Sequence, residues 1–276
     1  MTDFSVNTNA SALAALQNLN ATNRTLSEVQ QRINTGLEIA TAKDNGAIYA
    51  IAQNQRAEVA SLNAVGQSID RAISAVDVAL SAGEGVSDLL VELKEKALAA
   101  SDASLDAASR DALNEDFKAL RDQIDQIVSS AEFNGLNLLN GSTNGVTALV
   151  SADGTNTITV QAQTLALTGG NITFGSTFTI STQGQALSAV TALESSLAKV
   201  NTALAKLGTG AKALEIQDTF NTKLSDALKV GIGNLVDADL AVESARLQSL
   251  QVQQQLGIQA LGIANQAPQA ILALFR

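Results

Sequence analysis

The sequence lacks several of the residues on which enzyme chemistry and crosslinking depend. Its 276 residues include no cysteine, histidine or tryptophan, and only one proline and one tyrosine. Without cysteine and histidine there can be no disulfide, no thiol or imidazole catalysis, and none of the usual zinc ligands. A chain so poor in proline and aromatic residues is typical of long helices packed through aliphatic side chains. We therefore expect no catalytic centre, no metal site and no cofactor.

Charge and hydropathy exclude further classes of partner. The net charge is −10 and no stretch is rich in lysine or arginine, so we expect neither a nucleic-acid surface nor a membrane footprint. Residues 247–275 are long enough to span a bilayer, but their many glutamine side chains disfavour a hydrocarbon environment. The first residues lack the basic and apolar regions of a secretory signal peptide, so we expect no cleaved signal.

Both ends of the chain are free of charge over long stretches. Residues 4–23 and 247–275 contain no aspartate, glutamate, lysine or arginine. An exposed helix of a monomer normally carries a charged face. The pattern therefore predicts that the two ends pack against each other and against copies of themselves.

Apolar residues recur three and four positions apart over most of the chain. The first run comprises Leu16, Leu19, Leu26, Ile33 and Leu37. This heptad spacing predicts a mainly α fold with long coiled-coil-like helices from both chain ends, with an ordinary helical bundle as the alternative. Breaks are expected at Thr35-Gly36, at residues 44–46, at residues 101–104 with a new N-cap near Ser104 or Asp106, and at two Asn-Gly turns, Asn134-Gly135 and Asn140-Gly141.

The segment from residue 145 to residue 185 has a different pattern. It is rich in threonine and serine, and its apolar residues alternate. The alternating positions are Ile158, Val160 and Ala162; Leu165 and Leu167; Ile172 and Phe174; Phe178 and Ile180. With turns at Asp153-Gly154 and Gly169-Gly170-Asn171, this predicts a small antiparallel β-hairpin insertion of two hairpins, packed on the helices.

The few candidate sites for bound ligands favour structural roles. Asp237 and Asp239 have the spacing to face a cation, but we expect them to cap the last helix. The turn at Asp153 lacks the alternating carboxylates of a calcium loop. A phosphate-binding loop follows a strand, but no strand is predicted before Gly208-Thr209-Gly210.

Short motifs at both ends and at the predicted turns follow one another in a recognisable order. They lie at residues 6–9 (VNTN), 32–37 (RINTGL), 42–47 (AKDNGA), 82–85 (AGEG), 132–135 (EFNG), 237–243 (DADLAVE) and 264–269 (ANQAPQ). Together they resemble the bacterial flagellins over nearly the whole chain. The sequence departs from that family at Glu38, where arginine is frequent, and in having only residues 145–185 in place of large outer domains.

The resemblance implies an extracellular subunit that polymerises into the flagellar filament. It implies export in an unfolded state and folding at the filament tip. The implied partners are further copies of the chain, the flagellar export apparatus, an export chaperone, and the filament cap and hook-junction proteins. Two alternatives remain open: a hook-filament junction protein, and a secreted adhesin or binding module.

The resemblance also suggests a division of the chain and roles for individual residues. Residues 1–40 with 233–276 are expected to form paired terminal helices, residues 41–142 with 186–232 a helical rod, and residues 143–185 a β-hairpin region at the outer surface. The predicted self-assembly residues are Leu16, Leu19, Leu26, Ile33, Leu37, Leu250, Leu256, Leu261, Ile271 and Leu274. Candidate glycan acceptors are Thr143, Ser151, Thr155, Ser176 and Thr177, with solvated hydroxyl groups as the equal alternative.

Overall fold

The structure is a computed structural model that describes the backbone of residues 8–274 and the side chains of residues 8–266. Within these residues, five helices and two strands follow one another. They are α1 (Ala10–Thr35), α2 (Gly46–Ala100), α3 (Ala107–Ser130), β1 (Gly145–Leu149), β2 (Thr157–Gln161), α4 (Gln183–Val236) and α5 (Leu240–Leu274). The predicted fold class, long helices with a small antiparallel hairpin, is confirmed. Within the described residues no helix is long and apolar enough to cross a bilayer.

The helices begin and end where the sequence places capping residues. The Asn9 side chain accepts a hydrogen bond from the Ala12 amide at the start of α1, and Gly36, with φ of +71°, ends that helix. Asp106 caps α3 by accepting from the Ser109 amide at 2.9 Å. Asp239 accepts from the amides of residues 241 and 242, which confirms its predicted role at the start of α5.

The chain divides into two compact units. One unit is Glu58–Asp226, and the other combines Met1–Ala57 with Ala227–Arg276. Helices α2 and α4 each contribute residues to both units.

In the unit Glu58–Asp226, α2 and α4 run antiparallel through a continuous apolar core. Lys94 on α2 pairs with Glu194 on α4 at 2.9 Å, and Gln183 at the start of α4 donates to the carbonyl of Ser101 after the end of α2. Fully buried side chains of this core include Ile69, Leu90, Leu93, Phe117, Ile124, Leu193 and Leu207. The heptad pattern therefore marks the contact face of each helix.

The β-hairpin packs on α4 at a glycine. Strand β1 pairs with β2 in antiparallel register, Gly145 opposite Gln161, and the connection turns through Gly154 with φ of +72°. A Cβ atom on Gly210 of α4 would lie only 2.6 Å from the Val160 side chain. The absence of a side chain at residue 210 thus allows the hairpin to approach the helix closely.

The second predicted hairpin does not form, and the expectation of strands over residues 165–180 is wrong. Leu165, Ile172 and Ile180 are fully buried, but this segment is irregular. Its backbone amides bond to other parts of the unit: Leu165 donates to the Leu139 carbonyl, Thr173 to the Ser196 hydroxyl, and Ile180 to the Asn114 side chain. Because these groups replace a neighbouring strand, alternation here reflects burial without sheet pairing.

We predict that Asn114→Ala destabilises the unit Glu58–Asp226. Asn114 is buried, and its side-chain oxygen accepts from the buried Ile180 amide at 2.8 Å. Losing that acceptor leaves a buried donor unsatisfied, which lowers the free energy of unfolding by about 1–3 kcal/mol. Urea unfolding followed by circular dichroism measures the change.

The exposed Thr177→Ala variant is the control and should stay within about 0.5 kcal/mol of the parent chain. Equal urea midpoints for Asn114→Ala and the parent would contradict the assignment of this bond as stabilising.

Candidate assembly surface

Helices α1 and α5 form an antiparallel pair through contacts distributed along their length. The Asn9 side chain donates to the Ala264 carbonyl at 2.7 Å, and Gln254 donates to the Asn23 side chain at 2.7 Å. Arg32 contacts Glu243 at 3.3 Å. The residue number on α5 falls as that on α1 rises, as expected for antiparallel helices. The sequence-based expectation that the two ends of the chain meet is therefore confirmed.

This pair buries few apolar side chains. On α1, only Leu26 and Val29 are buried. Among the described side chains of α5, the only buried one is Glu243, a carboxylate. Most of the apolar surface of both helices therefore has no partner within the described part of the chain.

The uncovered side chains form an apolar surface on helices that carry few charges. Leu256 is 57% exposed and Ile263 is 70% exposed. The other large exposed apolar side chains on these two helices are Leu13, Leu16, Leu240, Val242, Val252 and Ile258. Exposed apolar side chains in such number on one helix pair favour a site of protein–protein contact.

The ten predicted self-assembly residues occupy three kinds of position. Leu26 is buried, and Leu16 and Leu256 are exposed. Partly buried positions hold Leu19, Ile33, Leu37, Leu250 and Leu261. The side chains of Ile271 and Leu274 lie outside the described residues.

The predicted list of self-assembly residues omitted several residues that stand out in the structure. Six exposed apolar residues of α1 and α5 are absent from that list: Leu13, Leu240, Val242, Val252, Ile258 and Ile263. The ion pair of Arg32 with Glu243 was also not foreseen. A signal was present, since Glu243 and Arg246 are the only charged residues of α5 and lie three positions apart.

A carboxylate organises the turn between α1 and α2. Asp44 accepts hydrogen bonds from the amides of Thr41, at 2.8 Å, and Ala40, and from the Thr41 hydroxyl. The bond from the Thr41 amide is the largest cause that lowers the pKa of Asp44, and the nearby Arg32 charge acts in the same direction. Within the described residues, no group of three or more acidic side chains is arranged to hold a metal ion.

The candidate glycan acceptors differ in their surroundings. The Thr143 hydroxyl donates to the Asn137 carbonyl at 3.1 Å, and the hydroxyls of Ser151 and Thr155 donate to Asp153 in the hairpin turn. Ser176 and Thr177 are exposed in the irregular segment. Glycosylation at these five positions stays a prediction.

Comparison with known proteins identifies the family. The bacterial flagellin N-terminal helical region matches residues 6–144, and the bacterial flagellin C-terminal helical region matches residues 190–275. The chain is also 54% identical over 272 residues to flagellin FljK of Caulobacter vibrioides, covering 99% of this chain and 98% of that protein. The chain belongs to the bacterial flagellin family. The unmatched residues 145–189 contain the hairpin and the irregular segment.

Solved structures agree with this assignment at the level of the fold. A Bacillus cereus flagellin crystal structure aligns with a TM-score of 0.50 at 21% identity, covering 56% of this chain and 88% of that chain. A protein described as flagellar hook-associated, from Vibrio parahaemolyticus, aligns with a TM-score of 0.59 at 14% identity, covering 70% of this chain and all of that chain. At such low identity both likenesses show the shared helical fold alone.

As a flagellin, the chain is a structural subunit that polymerises into the extracellular flagellar filament. The exposed apolar surface of its terminal helices fits a protein that is covered by copies of itself. None of the comparisons favours a hook-filament junction protein or an adhesin.

We predict that the pKa of Asp44 lies below the ordinary aspartate value of 3.8. Because the pKa is lower in the folded chain, the carboxylate stabilises the turn above the unfolded-state pKa. That contribution disappears as the pH falls through the folded-state pKa. The Thr41 amide resonance, followed by NMR during acidification, should therefore titrate with a midpoint below 3.8.

The Asp44→Asn variant is the control because its side chain cannot titrate, and its Thr41 amide should lack this transition. A midpoint at or above the ordinary aspartate value in the parent chain would show that the bonds from residues 40 and 41 do not stabilise the charged form.

Proposed function

We propose that the paired terminal helices, residues 1–40 with 233–276, form the inner tube of the filament and make its main contacts between subunits. In the same proposal, residues 41–142 with 186–232 form the rod, and residues 143–185 lie at the outer surface. The observation that carries the proposal is the exposed apolar surface of α1 and α5. Glutamine and asparagine side chains on the same helices suit an uncharged channel lining that does not trap exported chains of either sign.

In this proposal, the self-assembly residues make two sets of contacts, one within the α1–α5 pair and one with neighbouring subunits. Leu26, Ile33 and the partly buried leucines stabilise the α1–α5 pair. The exposed Leu16 and Leu256 contact neighbouring subunits. For Ile271 and Leu274, whose side chains lie outside the described residues, the self-assembly role stays a prediction. Burying one leucine contributes about 1.5–3 kcal/mol. A helical array repeats each such contact in every subunit through interfaces that never close.

We predict that Leu256→Asp abolishes filament formation without unfolding the free chain. In the free chain the new carboxylate lies in water, because Leu256 is 57% exposed. In the filament, it would be buried without a partner, a change that costs several kcal/mol at every subunit. Seeded polymerisation, followed by sedimentation and electron microscopy, measures the loss, and circular dichroism measures the fold.

Leu149→Asp provides a matched control, since Leu149 is also an exposed leucine but lies on β1 in the proposed outer region. This variant should polymerise like the parent. Normal filaments from Leu256→Asp, or equal loss of filaments in both variants, would contradict the proposed role of the terminal helices.

Assembly completes the folding of the terminal helices in this proposal. The described side chains of α5 bury almost nothing within the chain, and an isolated helix is only marginally stable in water. We predict that amides of residues 13–37 and 250–261 exchange rapidly with solvent in the free chain and become protected in the filament. Hydrogen exchange with mass spectrometry compares the two states, with the buried segment around Leu90 and Leu93 as the protected control.

Strong protection of both terminal segments in the free chain would contradict folding on assembly. That result would not contradict the proposed contacts between subunits, because the polymerisation experiment tests those contacts separately.

The remaining partners are proposed from the family. The chain is expected to pass unfolded through the flagellar export apparatus with an export chaperone, and to meet the filament cap and hook-junction proteins. The absence of cysteine and the single proline support this route, because no crosslink blocks threading and little prolyl isomerisation delays refolding. Export without a cleaved signal peptide stays a prediction.

A further inference from the structure

Glu243 is an unusual residue to find buried in α5. The helix carries only one other charge, Arg246, and all its other described side chains are partly or fully exposed. The Glu243 side chain, in the first turn of α5, is only 7% exposed. A carboxylate in that turn interacts favourably with the helix dipole, but the dipole does not require it to be buried.

The hydrogen bonds of Glu243 are unevenly distributed between its two oxygens. Oε1 accepts from Nη1 of Arg32 on α1 at 3.3 Å and from Nη1 of Arg246 at 3.0 Å. Oε2 is buried and has no hydrogen-bond partner among the described residues. A half-satisfied buried charge is a poor source of stability, since desolvation offsets the attraction of the pair. In some proteins, buried polar or ionic groups fix the alignment of packed elements.

The apolar pattern of α1 and α5 permits more than one alignment of the two helices. Its apolar positions repeat about every seven residues, so a shift of one heptad would place apolar residues opposite apolar residues again. Arg32 lies opposite Glu243. After a slip of seven residues, Arg32 would face Leu250 or Val236, and Glu243 would lose its partner on α1. The charge pair therefore distinguishes one register from its neighbours.

Backbone hydrogen bonds hold the chain close to this ion pair. After the end of α1, the Glu38 amide donates to the Val236 carbonyl at 2.7 Å. The Ala238 amide donates to the Gly36 carbonyl at 2.9 Å, and Leu37 and Asp237 form an isolated antiparallel bridge. These bonds align the residues that follow α1 with the residues that precede α5. The ion pair of Arg32 with Glu243 keeps the same alignment within the helices themselves.

We propose that Arg32 and Glu243 are positioning residues that set the register of the terminal helix pair. They choose one alignment of α1 against α5 from several that the apolar pattern permits. Arg246 completes the cluster by holding the same carboxylate oxygen from its own helix. The inference builds on the chain's role as a filament subunit and does not depend on which exposed leucines contact neighbouring copies.

The structure offers a direct reporter of this register. A Cβ atom on Gly257 would lie 3.8 Å from the Cβ atom of Leu19. That separation matches the mean of about 3.8 Å in disulfides. The natural chain contains no cysteine, so a Leu19→Cys, Gly257→Cys chain has only one disulfide to form. Pairing Leu19→Cys with Leu250→Cys or with Ala264→Cys reports a slip of one heptad in either direction.

The test measures intrachain disulfide yield for the three cysteine pairs after mild oxidation. The full chain is used after polymerisation onto parent seeds, the state in which the terminal helices are proposed to be folded, with gel mobility and intact mass as readouts. With Arg32 and Glu243 present, the pair at residues 19 and 257 should crosslink and the two slipped pairs should not. In Glu243→Ala or Arg32→Met chains, the ratio of native to slipped yield should fall about tenfold or more, because the register loses the pairing of Arg32 with the buried carboxylate.

A matched control tests an ion pair remote from the terminal helices. Glu115 pairs with Lys118 at 2.7 Å on α3, and Glu115→Ala should leave the ratio unchanged. An unchanged ratio in Glu243→Ala or in Arg32→Met would overturn the proposal. So would loss of all three crosslinks in those chains, since the pair would then hold the helices together without choosing their alignment. Absence of every crosslink in polymerised chains that keep Arg32 and Glu243 would also overturn it.

Discussion

The pairing of the two chain ends is the contact on which the function of this flagellin depends. Helices α1 and α5 meet over their length, yet they bury only two apolar side chains on α1 and a single carboxylate among the described residues of α5. A helix pair with so little core of its own is stable only when something else covers it. In the proposed filament, further copies of the chain supply that covering.

The unit Glu58–Asp226 has the opposite character. Its helices bury a continuous set of large side chains, and Phe117, Phe174 and Phe178 pack together beside Arg121, which donates to the Phe178 carbonyl at 2.8 Å. Such a core is sufficient for independent folding. The chain thus combines a unit with its own core and a unit whose apolar side chains are largely uncovered among the described residues.

Local chemistry made much of this fold predictable. Gly36 ends α1 and Asp106 starts α3 where the sequence indicated, because a left-handed residue and a side-chain acceptor act within a few residues of their own position. The second hairpin could not be predicted in the same way. Period-two alternation shows which side chains are buried, but Ile180 and Thr173 bond to side chains on distant helices, and such partners leave no local trace.

The sequence by itself determined the family, the helical class, the helix ends and the apolar character of the charge-free termini, since these follow from motifs, periodicity and composition. Only the tertiary structure decided which leucines face a partner helix and which remain uncovered, because a heptad pattern defines a face without saying what lies against it. It also decided that Glu243 is buried against Arg32, a contact between residues far apart in the chain. That contact depends on the alignment of two helices, and an alignment is a property of the pair that neither helix encodes alone.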